Sequence, residues 1–142
     1  MGSKFVRLAV LLLALTLVAG ACSKKSGGGK IPIGSDSANN KGTKDVSGKS
    51  TFELELNNEG STYYFEPTVL KGAAGQPLTL TLKNEGNTVH NFSLVGSEAS
   101  GVDVQPGKEG SIQVSFPQSG FVEFFCKYHR SQGMAGELTV GS

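Results

Sequence analysis

A period of two runs through the second part of this chain and restricts what it can fold into. Phe52, Leu54 and Leu56 alternate with Glu53 and Glu55, and Leu78, Leu80 and Leu82 alternate with Thr79, Thr81 and Lys83. Ile112, Val114 and Phe116 alternate with Gln113 and Ser115, while Val122, Phe124 and Cys126 alternate with Phe121, Glu123 and Phe125. Successive side chains of a strand point to opposite faces, so each run reads as a strand with a core face and an outer face. Tyr63 to Phe65, His90 to Val95 and Glu137 to Val140 are shorter candidates. Turn formers separate them, among them Asn57-Asn-Glu-Gly60, Gly72-Ala-Ala-Gly75, Asn84-Glu-Gly-Asn87 and Pro106-Gly107. No amphipathic helix of useful length and no internal repeat is present. The pattern predicts an all-β fold, an antiparallel Greek-key β-sandwich of seven or eight strands. Residues 50–142 are enough for one such domain and not for two.

The first residues are of a different kind. Lys4 and Arg7 precede an apolar run from Leu8 to Val18, which ends in Ala19-Gly20-Ala21 before Cys22. That is the profile of an export signal. The run is short of the roughly 20 residues a membrane-crossing helix needs. Small residues ending at a cysteine are similar to the bacterial lipobox, although Ala19 stands where leucine is most typical. By that resemblance residues 1–22 are a lipoprotein signal peptide, Cys22 becomes the lipid-modified N-terminus, and the mature protein is extracytoplasmic, in the periplasm or on the outer face of a membrane. Residues 23–49 are rich in Ser, Gly, Asn and Lys and nearly free of apolar side chains, which predicts a flexible tether with an end-to-end distance of about 30 Å. Gly29-Lys30 is followed by Ile31 rather than Ser or Thr, so these glycines do not form a phosphate-binding loop.

Charge divides along the same boundary. Residues 23–49 hold six lysines against Asp36 and Asp45, a net +4, whereas residues 50–142 hold five basic residues against ten carboxylates, a net −5. An acidic folded domain argues against nucleic-acid binding. A basic stalk beside anionic lipid, with the acidic domain standing off from it, is the functional reading of the asymmetry, and solubility is the plain one.

The scarcest side chains form one pattern. The chain has two histidines, two methionines and two cysteines. Set aside Met1 and Cys22, and what remains is His90, Cys126, His129 and Met134. Taken singly, a histidine is usually structural and a methionine usually fills core. Two imidazoles, a thiolate and a thioether together are the donor set of a blue-copper electron-transfer site. Cys126 ends one strand and Met134 begins the next, so the loop between them can fold His129 and Met134 over one point. His90, distant in sequence, has to arrive on a neighbouring strand, which a sandwich provides. Cys126 and the two histidines would define a trigonal plane, with Met134 as a weak axial contact.

The segment Phe124-Phe-Cys126-Lys-Tyr-His129-Arg-Ser-Gln-Gly133-Met134 resembles the copper-binding loop of cupredoxins, with the Cys-x2-His-x4-Met spacing of plastocyanin, and Val89-His90-Asn91-Phe92 is similar to the segment that supplies that family's other histidine. The resemblance extends over residues 50–142. It implies one copper ion cycling between Cu(I) and Cu(II), held by His90, Cys126, His129 and Met134. It also implies that Asn91 offers a backbone N–H to the cysteine sulfur and pins adjacent loops by its side chain. In the family the edge of the loop histidine lies exposed in an apolar patch that serves as the electron port, and His129 matches that position. Lys127, Tyr128 and Arg130 surround it here, where plastocyanin has proline immediately before the histidine. They are expected to form a basic docking rim for a partner with an acidic face.

The function expected is that of a membrane-tethered, monomeric one-electron carrier between redox partners such as c-type cytochromes, oxidases or photosynthetic complexes. A copper chaperone or buffer on the same fold is the alternative. Zinc accepts the same ligands, but copper stands above it in intrinsic affinity. Pairing of Cys126 with Cys22 would need a long tether to fold back. An enzyme is not expected, because both histidines are committed, no Ser/His/Asp arrangement stands out, and a multicopper oxidase needs further histidines.

Overall fold

The structure, a computed structural model, describes residues 28–141. In chain order its strands are β1 (Lys30–Ile33), β2 (Asp36–Asn39), β3 (Thr43–Asp45), β4 (Thr51–Glu59), β5 (Thr62–Glu66), β6 (Val69–Gly72), β7 (Pro77–Asn84), β8 (His90–Leu94), β9 (Val102–Val104), β10 (Glu109–Ser115), β11 (Phe121–Phe125) and β12 (Ala135–Val140). One sheet has the order β10-β7-β4-β5, the other β3-β6-β12-β11-β8-β9, and β1 and β2 form a separate hairpin. Most pairs are antiparallel, while β4–β7, β6–β12 and β3–β6 are parallel.

The alternating runs become strands because each has a sheet to face. Leu54, Leu56, Phe65, Leu78, Leu80 and Leu82 of the first sheet meet Phe92, Phe124 and Leu138 of the second, all of them fully buried. Phe65 lies edge-on to Phe124 with ring centroids 5.0 Å apart, and Phe92 stacks on Phe124 at the same separation. Each such side chain contributes about 1.5–3 kcal/mol on burial, so this layer outweighs surface ion pairs, whose typical contribution is about 0–1 kcal/mol. The sandwich is the fold expected. Its strands outnumber the seven or eight expected because β6 and β9 are too short to alternate visibly and because the N-terminal segment supplies three more.

That last point is a correction. Residues 23–49 were expected to form a flexible tether, but from Lys30 onward the segment is folded onto the domain. Ile33, Ala38 and Val46 are buried. Ile33 and Ala38 form a second small core with Val69, Phe125 and Ala135, on the outer face of the six-stranded sheet. This cover explains why Phe124 and Phe125, on opposite faces of β11, are both buried. Backbone bonds complete the attachment: Thr68 and Val69 donate N–H groups to the Gly42 carbonyl, and Val46 donates to that of Lys71. Very few apolar residues suffice, because a strand added to an existing edge gains ladder hydrogen bonds and needs only one buried face. The expected signal peptide, Cys22 and the first residues of the expected tether lie outside the described residues.

Candidate metal centre

The sheet topology brings the distant histidine to the loop. β8 runs antiparallel to β11, with Phe124 opposite Leu94 and Phe125 opposite Ser93, so the start of β8 lies beside the end of β11. His90 is the first residue of β8, and Cys126 follows the last residue of β11. β11 and β12 pair with Phe125 opposite Ala135, which sets Cys126 against Met134, and the Cys126 N–H donates to the Met134 carbonyl at 3.0 Å. Between them the loop turns back on itself. The His129 N–H donates to the Cys126 carbonyl at 3.1 Å, and the His129 carbonyl accepts from Gln132 and Met134 at 3.0 and 3.1 Å. Gly133 closes the turn at a φ of 95°, where a side chain would be strained and would run into Asn39.

One donor atom each from His90, Cys126 and His129 lies within 4.8 Å of the others. Cys126 Sγ and His129 Nδ1 are 3.4 Å apart, and the two imidazoles meet edge to face with centroids 5.1 Å apart. His90 and Cys126 are fully buried. Neither ring nitrogen of His90 has a hydrogen-bond partner among the described residues. An unsatisfied buried polar atom costs about 1–3 kcal/mol, so a folded chain that leaves a whole imidazole unpaired points to a ligand for it. Burial and the neighbouring His129 push the His90 pKa down to about 4, and burial lowers that of His129. Both rings are thus neutral at pH 7, the form a metal requires. Burial raises the Cys126 thiol above its ordinary value, against N–H groups that lower it, so a cation is what makes it a thiolate. The donor set and the orphaned imidazole fit a single copper ion.

A sequence profile of the cupredoxin-like domain matches residues 10–140. The chain belongs to the cupredoxin family. Plastocyanin A/B of Petroselinum crispum is 30% identical over 97 residues, which cover 62% of this chain and 98% of that protein. Among solved structures, the reduced auracyanin of Roseiflexus castenholzii superposes with a TM-score of 0.54 at 19% identity, over 66% of this chain and 98% of that one. A laccase-like multi-copper oxidase from Ochrobactrum sp. superposes with a TM-score of 0.54 at 15% identity, over 72% of this chain and 29% of that one. The two structural matches speak for the fold alone.

The surroundings of the cupredoxin centre differ from expectation at its rim. Met134 is fully buried in the core cluster that includes Cys126. The Asn91 N–H donates to Cys126 Sγ at 3.3 Å. The Asn91 side chain donates to Asp103 at 2.7 Å and accepts from Ser93 and from the Lys127 N–H, linking β8, β9 and the loop. The rim expected to be basic is instead compensated. Lys127 pairs with Asp103 at 2.8 Å, and the Tyr128 hydroxyl donates to the same carboxylate at 2.7 Å. Arg130 pairs with Asp36 at 2.6 Å and with Glu123 at 3.3 Å, while its guanidinium lies over the Phe125 ring. Tyr128 is exposed, and its cationic neighbours are held by carboxylates drawn from three other strands. His129 is 9% exposed, and one face of its ring is covered by Tyr63, which stacks on it with ring centroids 3.9 Å apart. Sequence reading missed Tyr63, Asp36, Asn39 and Asp103. Nothing local marks them: Asp103 lies in β9, which is too short to alternate visibly, and the others meet the centre only through the sheet order.

Proposed function

We propose that this cupredoxin is a one-electron carrier whose single copper ion would be held by His90, Cys126 and His129, with Met134 as a weaker fourth ligand. The observation that carries the reading is the buried convergence of two neutral imidazoles and a thiol, one imidazole having no other partner. Copper supplies a centre that gains and loses one electron, and its affinity is highest in a site of soft and borderline donors.

The chain's own residues do the rest. The antiparallel strands β8 and β11 fix His90 and Cys126 at the same end of the sheet, and five backbone hydrogen bonds hold the loop shape, so few atoms move when charge changes. The Asn91 N–H on the cysteine sulfur stabilises negative charge there and orients it. Burial of His90 and Cys126 excludes water. Such preorganisation favours electron exchange over metal release.

Lipidation at Cys22 would place the carrier at an extracytoplasmic membrane face, exchanging electrons with neighbouring redox proteins, a placement the plastocyanin likeness favours. Among the described residues no helix is long and apolar enough to cross a membrane.

The test is a visible spectrum of the full-length protein titrated with Cu(II). An intense thiolate-to-copper band saturating at one ion per chain, bleached by a reductant and restored by an oxidant, is expected, and Cys126→Ser should abolish it. A colourless protein contradicts the reading. Rapid surrender of the metal to an acceptor protein would identify a copper chaperone instead.

A further inference from the structure

Tyr63 lies in β5, outside the ligand loop, yet its ring covers His129 almost in parallel, at 9° and 3.9 Å between centroids. The same ring stands edge-on to His90 at 6.2 Å. One side chain therefore touches both imidazoles of the centre. Its position is not left to the ring alone. The Asn39 side-chain amide donates to the Tyr63 carbonyl at 2.8 Å and to the Gln132 carbonyl at 2.9 Å, while the Asn39 N–H donates to Gly133 at 2.9 Å. The hairpin residue thus ties the strand carrying Tyr63 to the loop carrying His129. Two electron-rich rings prefer an offset or edge-on contact to a parallel one, but a ring that shares positive charge is attracted to a phenol face. The stack is suited to an imidazole bound to a cation. Tyr63 is half-buried, so it and not His129 offers the larger surface to solvent at this point.

We infer that Tyr63 is a positioning and specificity residue of the centre: it holds the His129 ring plane and keeps small solutes off the imidazole, so that electron exchange with a macromolecular partner proceeds across the tyrosine ring. The inference rests on the electron-carrier reading. It places the outermost contact of the redox path on β5, and it gives the N-terminal hairpin a part in the centre through Asn39. A partner has to approach a ring face. A small oxidant loses direct contact with the ligand. The exchange itself is an outer-sphere transfer of one electron, reducing the partner as the centre is oxidised, with no bond formed or broken.

The experiment compares wild type with Tyr63→Phe, Tyr63→Leu and Tyr63→Ala in two measurements. Proton NMR of the metal-free protein should show the His129 ring protons shifted upfield by the stacked ring, with the shift kept in Tyr63→Phe and lost in Tyr63→Leu and Tyr63→Ala. In the copper-loaded protein, oxidation by hexacyanoferrate should accelerate on the order of tenfold in Tyr63→Ala and stay at the wild-type rate in Tyr63→Phe. Tyr63→Leu keeps most of the volume and controls for folding. An unshifted His129 in the wild type overturns the inference, as does a Tyr63→Ala rate equal to wild type or a Tyr63→Phe rate equal to that of Tyr63→Ala. A wild type without the visible copper band would instead fail the carrier reading, and the NMR comparison would still decide the stack.

Discussion

At the scale of residues, the centre is defined by side chains that have no other occupation. His90 is fully buried with both nitrogens unpaired, and its pKa is pushed down to about 4, so protons compete poorly for it at neutral pH. Cys126 is buried, has no disulfide partner among the described residues, and its sulfur already accepts the Asn91 N–H. Met134 is fully buried on the residue that opens the way into β12. A thioether contact at long range tunes the metal's preference between oxidation states more than its binding. Met134→Gln is therefore expected to keep the visible band and to lower the reduction potential by about 59 mV or more, the value of a tenfold shift for one electron. Protein-film voltammetry of both forms checks this, and an unchanged potential removes Met134 from the axial role. The three converging donors, His90, Cys126 and His129, were legible in the sequence because soft and borderline donors are scarce in it and stand at a recognisable spacing, and the same spacing singled out Met134. Tyr63 was not legible. Tyr63-Tyr64-Phe65 reads as an ordinary strand, and which of its rings meets a loop more than sixty residues away is decided by sheet order.

At the scale of elements, alternation identified the strands that face the core on one side, and it failed where a strand is short or is held from its edge. β1, β2 and β3 carry little apolar surface and are stabilised by partners remote in sequence: Phe125 and Ala135 for the hairpin, and β6 for β3. The hairpin also closes a polar cluster. Glu123 of β11 lies against Gly34, whose φ of 53° suits the turn between β1 and β2, and it faces Asp36 and Arg130. Burial, then Asp36, push the Glu123 pKa from 4.5 up to about 7, with Arg130 opposing. A carboxyl that titrates higher in the folded state than in the unfolded one binds the extra proton only when folded. Its contribution to stability is therefore full below about pH 4.5 and is lost as pH rises through about 7. Glu123→Gln stays neutral and lacks this slope. Denaturant unfolding at pH 5 and pH 8 should show wild type losing on the order of 2 kcal/mol relative to the variant between the two. The opposite slope of His90 is common to both proteins and cancels in the comparison. An equal change in both proteins contradicts this role of Glu123 in the polar cluster.

At the scale of the whole molecule, the folding of residues 30–49 onto the sandwich alters the picture of an acidic head on a basic stalk. Nine basic residues against twelve acidic ones leave residues 28–141 at a net −3, so part of the basic charge assigned to the tether belongs to the domain. With Cys22 lipidated, only residues 23–29 would separate the lipid from β1, a span of at most about 25 Å when fully extended. A carrier so short of reach would meet partners lying close to the membrane. Around the centre, ion pairs between Lys127 and Asp103, and between Arg130 and Asp36, leave no broad patch of one sign, so docking would depend more on the shape and aromatic surface at Tyr63 and Tyr128 than on steering by net charge. The centre rests on the convergence of side chains from β8 and from the loop between β11 and β12. X-ray absorption at the copper edge of the loaded protein tests that convergence most directly. One sulfur and two nitrogen neighbours in the nearest shell, with the sulfur absent in Cys126→Ser, is the predicted result; a shell of nitrogen and oxygen alone in the wild type would contradict it.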